Sequence, residues 1–152
     1  MFKVKYSLLA FCLVFVFALT SCDEDDPTEP QHEHFEAEGI VLYQDGAKFL
    51  EIFEAEFDEN LNQSISVQAG SETDVFEIKF LDHDRDEILP EDDDKTFGYL
   101  ISDESIAGLS QADGGWKFKL EGISAGTTEL ELRIMHEGHP DFKTPKIPVV
   151  VE

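Results

Sequence analysis

From residue 38 to the C terminus the chain alternates between short apolar runs and polar breaks, with few apolar positions at helical spacing. Phe76, Ile78 and Phe80 fall on one side of an extended segment, with Glu77 and Lys79 on the other. That period of two is the mark of a half-buried strand. Ile65 and Val67 repeat it, and so do Trp116, Phe118 and Leu120 against Lys117 and Lys119. Apolar segments flank Gln44-Asp45-Gly46, and Asp-Gly in that setting predicts a hairpin. The run at 49–57 has helical spacing in part, but its aromatic and β-branched residues favour strand. The predicted strands are 39–43, 47–53, 64–67, 76–80, 97–102, 106–109, 116–121, 127–135 and 147–151. Short strands at spacings of about ten residues predict an all-β, Ig-like antiparallel β-sandwich of about 7–9 strands.

The first 21 residues follow a different rule. Lys3 and Lys5 precede an apolar stretch from Leu8 to Leu19. This stretch is too short to span a bilayer of about 30 Å but suits the h-region of a cleaved signal peptide. It ends in Leu19-Thr20-Ser21-Cys22, which resembles the lipobox of bacterial lipoproteins. The resemblance implies cleavage before Cys22, lipidation of its sulfur and attachment to a membrane through that anchor. Several acyl chains, at about 0.8 kcal/mol per buried CH₂, hold a protein firmly. Cys12 would leave with the signal, so the mature chain is expected to contain no disulfide. The run Asp23-Glu24-Asp25-Asp26 resembles the surface-export signal of Bacteroidota lipoproteins and implies the outer face of the outer membrane, with the periplasmic leaflet as the alternative.

The expected organisation is therefore a signal peptide at 1–21, an acidic tether at 22–37 containing Pro27 and Pro30, and a β-sandwich domain at 38–152. The segment Ile101-Ser102-Asp103-Glu104-Ser105-Ile106-Ala107, with the later Gly122-Ile123-Ser124-Ala125-Gly126-Thr127-Thr128, resembles the second half of bacterial Ig-like domains of the BIG2 type. The likeness covers about a third of the chain. It implies a sandwich used for adhesion, spacing or ligand binding, since such a fold does not define one function.

Charge narrows the partners. The chain has 34 acidic and 11 basic residues, a formal net charge of −23. Nucleic-acid backbones and anionic lipid surfaces would repel it. The acids are concentrated, with eight in residues 23–38 and eight in residues 82–94.

Candidate chemistry lies in the histidines. Four of the five form two close pairs, His32/His34 and His136/His139, with Asp141 two residues past the second. Imidazole nitrogen suits Zn²⁺ or Cu²⁺, and an i,i+2 pair in an extended segment presents both rings on one side. If the first strand runs beside the last, the two pairs meet as a four-histidine or three-histidine-plus-carboxylate site. Zinc is the expected metal, since Met135 is the sole thioether after the signal and no free thiol remains for Cu(I).

Asp82, Asp84 and Asp86 stand at positions one, three and five of a calcium-like loop. That candidate is weaker: position six is Glu87 where an EF-hand requires glycine, and position twelve is Asp93 where it requires glutamate. The sequence contains no Gly-x-Ser-x-Gly and no Walker loop, and its acidic pairs are too many to single out a glycosidase dyad. The expected function is a non-enzymatic, membrane-anchored lipoprotein that binds zinc for metal handling or structural pinning, with a metal-import system as possible partner. The alternative is an adhesion, glycan or protein-interaction module of the envelope.

Overall fold

The computed structural model describes residues 35–91, 94–113 and 115–152. All belong to the compact unit Glu33–Glu152. Twelve strands and no helix form the described fold. The first sheet contains β1 (Gly39–Gln44), β2 (Ala47–Phe53), β3 (Glu56–Phe57), β5 (Phe76–Leu81), β6 (Glu87–Ile88), β8 (Ala107–Gln111) and β9 (Lys117–Gly122). Their order is β3-β2-β1-β5-β9-β8, and β6 folds back on β5. The second sheet contains β4 (Ile65–Val67), β7 (Lys95–Ile101), β10 (Gly126–His136), β11 (His139–Lys143) and β12 (Ile147–Val151).

Alternation decides which side chains meet between the sheets. Ile40, Leu42, Leu50, Ile52, Phe76, Ile78 and Phe80 of the first sheet join one core with Ile65, Leu130, Leu132, Ile134, Ile147 and Val149 of the second. Each such burial stabilises by about 1.5–3 kcal/mol, and the two-sheet core identifies the β-sandwich. Phe80 anchors one end: its ring meets those of Phe35, Trp116 and Phe142 edge-on, with centroids 5.6, 5.0 and 5.8 Å away.

Asp45 and Gly46 adopt φ of 51° and 77°, the left-handed pair of a two-residue hairpin, so the expected β1–β2 turn is present. Three strands beyond the expected number have specific causes. Glu54 and Ala55, neither a turn former by composition, adopt φ of 48° and 66° and reverse the chain into β3. Residues of the acidic stretch form β6, where Ile88 pairs with Phe80 and Glu87 with Leu81. Glu137 and Gly138 turn the chain from β10 straight back into β11, a strand not among those expected.

The expectation that the first strand lies beside the last is overturned. β1 sits between β2 and β5 in the first sheet, and β12 between β10 and β4 in the second. The parallel partner of β12 is β4, with Val149 opposite Ile65 and Val151 opposite Val67. The inward residues of both strands thereby lie side by side on the core face. Pro148 is tolerated in β12 because the β4 ladder begins one residue later, at Val149.

Candidate metal centre

β10 is the longest strand, and its core face carries Thr128, Leu130, Leu132 and Ile134, then His136 at the end of the stripe. Alternation thus directs the imidazole inward, where it is 3% exposed. Glu137 and Gly138 follow with φ of 48° and 88°, a two-residue turn that requires left-handed backbone at both positions. The turn sets His139 directly opposite His136, with ring centroids 5.8 Å apart. His139 stands at the rim and is 57% exposed on its side chain.

A register shift then places Asp141 in the site. Met135 pairs with Pro140 but Ile134 pairs with Phe142, so Asp141 is the extra residue of a β-bulge. The bulge lets Phe142 join the core against Phe80, while the Asp141 side chain, 1% exposed, turns in beside the imidazoles. Asp141 Oδ2 lies 3.3 Å from His136 Nδ1, and Oδ1 lies 3.7 Å from His139 Nδ1. On the far side of the ring, His136 Nε2 is 3.0 Å from Asp94 Oδ2. Lys95 faces His136 across the β7–β10 ladder, and its buried ammonium is 3.9 Å from Asp94 Oδ1.

The spacings have a chemical meaning. Ligands at about 2.0–2.1 Å from a tetrahedral zinc are separated from one another by about 3.3–3.4 Å. The Asp141 Oδ2 and His136 Nδ1 atoms match that edge, whereas His139 Nδ1 faces the other carboxylate oxygen, at 3.7 Å. Among the described residues no group of three or more His, Cys, Asp or Glu side chains forms a ready metal cage.

His136, His139 and Asp141 are metal candidates from their spacing alone, and the hairpin brings these three together. Asp94 and Lys95 join them without any local signal in the sequence. Asp94 reads as one more acid of the 82–94 run, and only the β7–β10 pairing places it beside His136. His32, His34 and Cys22 lie outside the described residues. The first described residue, Phe35, packs on Phe80, which in turn meets Phe142 next to Asp141.

The calcium candidate is arranged differently. Asp82 Oδ1 accepts the backbone N–H groups of Asp84 and Asp86, each at 2.9 Å, so this carboxylate closes its own turn. The Asp84 carboxylate is exposed beside His83, at 3.1 Å. Arg85, with φ of 64°, reaches back over the outer face of the first sheet. Its guanidinium lies 4.2 Å from the Phe53 ring centroid and 3.4 Å from the buried Glu51 carboxylate, which Lys48 also meets at 3.0 Å. Glu87 binds the Tyr43 hydroxyl, and that hydrogen bond, with burial and the Glu87 charge, pushes the phenol up to about 12.

No protein-family profile matches the chain. No curated protein matches it. Solved structures of the S-layer protein SbsC resemble it in part. Domains 4 and 5 align over 59% of this chain and 47% of theirs, with 16% identity and a TM-score of 0.44. Domains 5–6 align over 60% and 40%, with 16% identity and a TM-score of 0.46. The chain thus spans less than half the length of either structure.

Proposed function

We propose that this chain is a lipid-anchored lipoprotein of the bacterial cell envelope, facing the cell surface, whose β-sandwich domain binds a divalent transition metal at His136, His139 and Asp141. The observation that carries the reading is the Asp141 carboxylate, whose two oxygens each face one imidazole, at 3.3 and 3.7 Å. Two nitrogens and a carboxylate without sulfur favour zinc. The site is formed on a hairpin and opens to solvent at His139, which favours metal exchange, and therefore handling, over permanent pinning. The anchor rests on Leu19-Thr20-Ser21-Cys22 and the acidic run behind it.

Calorimetric zinc titration of the full chain in detergent tests the reading. One zinc per chain with a Kd below about 10 µM, near −7 kcal/mol, is expected. The affinity should fall by at least 30-fold in His136→Ala and Asp141→Ala. Paired His32→Ala and His34→Ala changes measure any contribution of the tether histidines. Incorporation of labelled palmitate that disappears in Cys22→Ala checks the anchor. A wild-type chain that binds no zinc below 10 µM would leave the second reading, contact with an envelope protein. That reading has the exposed Tyr99 and Leu100 on β7 in its favour.

A further inference from the structure

The two nitrogens of His136 face two different carboxylates, and those carboxylates are held in different ways. Asp94 Oδ2 is at hydrogen-bond distance from Nε2, 3.0 Å, on a half-exposed residue at the entrance of β7. Asp141 Oδ2 is 3.3 Å from Nδ1 on a fully enclosed side chain fixed by the β11 bulge. A neutral imidazole has one N–H. Only one of the two carboxylates can therefore accept a hydrogen bond from it, and the other must face a lone pair. A lone pair aimed at a carboxylate is repulsive unless a cation stands between them, either a metal ion or the second proton of an imidazolium. With the Nε2 proton directed at Asp94, the arrangement aims the Nδ1 lone pair at a place where a metal ion can take over from that second proton.

Resting on the zinc reading above, we propose that Asp94 is a positioning residue: it accepts the Nε2–H of His136 and so keeps the Nδ1 lone pair directed at Asp141 and His139, where the metal sits. A carboxylate on the distal nitrogen of a metal-bound histidine fixes tautomer and ring orientation and raises the basicity of the ligand. Asp94 is itself oriented. Its other oxygen, Oδ1, lies 3.9 Å from the buried Lys95 ammonium, and Lys95 is held opposite His136 by the β7–β10 ladder. The order Lys95, Asp94, His136, Asp141, His139 crosses the end of the second sheet from edge strand to edge strand, with the metal position between its last three members. Asp94 stays outside the ligand set because Nε2 and Nδ1 point to opposite sides of the ring.

Two measurements on the full chain in detergent test this. Nitrogen-15 NMR of the metal-free wild type, at a pH where the ring is neutral, should show His136 with its proton on Nε2, and Asp94→Ala should move it to Nδ1 or to a mixture. Zinc affinity should fall by about 10–100-fold in Asp94→Ala at unchanged stoichiometry. Asp84→Ala, which removes an exposed carboxylate from the other acidic loop, should change neither. A neutral wild-type ring with its proton on Nδ1 overturns the proposal. So does a loss of affinity with an unchanged tautomer, which would make Asp94 only a nearby negative charge. Wild type and Asp94→Ala binding zinc equally, within about threefold, sinks this proposal alone, whereas no zinc uptake by the wild type sinks the zinc reading and this one with it.

Discussion

His83 and His136 both stand beside aspartates, at 3.1 and 3.0 Å, yet the first side chain is 74% exposed and the second 3%. The loop 82–88 is made of neighbours in sequence, and its side chains are used to close its own turn and to fasten it to the first sheet. Asp82 holds the amides of Asp84 and Asp86, and Arg85 covers Glu51 and Phe53. The β10–β11 tip collects its residues from β7, β10 and β11, and a ladder, a turn and a bulge enclose them. Acid count is similar in the two regions; what differs is whether donor atoms converge from separate strands on a buried imidazole and a buried carboxylate. A carboxylate that closes its own turn has little left to offer a cation. One that faces two imidazoles from different strands can share it.

The largest test of this contrast strikes the support both regions share. Phe80 is the penultimate residue of β5, just before the loop, and its ring also meets Phe142 beside Asp141. Phe80→Ala should cost about 3–5 kcal/mol in urea unfolding, as burial of this ring and the cavity left behind require. A loss below 1 kcal/mol would show that the tip and the loop do not depend on a common core.

The second test sets the two histidines against each other in metal-free protein with a chelator present. His136→Ala removes a buried ring from between two carboxylates and should cost about 1–3 kcal/mol. His83→Ala should stay within about 0.5 kcal/mol of wild type, as exposed positions do. Equal losses would end the distinction between a built site and a solvated turn.

The smallest effect concerns how the loop is fastened to the first sheet. In the folded chain Tyr43 has its phenol raised from 10.0 to about 12, chiefly by the hydrogen bond to Glu87. The folded state thus favours the protonated phenol, and the resulting stabilisation is complete below pH 10 and lost as pH rises from 10 to 12. Across that window the stability of the wild type should fall more steeply than that of Tyr43→Phe. Ultraviolet titration should place the Tyr43 midpoint near 12 in the wild type and lower in Glu87→Gln. Parallel stability curves for wild type and Tyr43→Phe would show that Glu87 does not fasten the loop.

The sequence by itself determined the class of fold, because period-two alternation is a local property and each strand's apolar face must be buried somewhere. It placed β5 and β12 to within a residue, and the Asp45-Gly46 turn between β1 and β2. It also named three residues of the candidate site, since histidine and aspartate in close spacing are visible without a fold. Tertiary structure decided what those residues face. The Glu54-Ala55 reversal could not be read, because neither residue signals left-handed backbone and only pairing with β3 holds it there. The neighbour of β12 could not be read either: β1 and β4 both present alternating apolar residues, and the choice between them depends on all the other pairings at once. Asp94 is the clearest case. Its partner His136 is 42 residues away, and no local pattern separates it from the acids around it. The ladder between β7 and β10 brings it beside the imidazole.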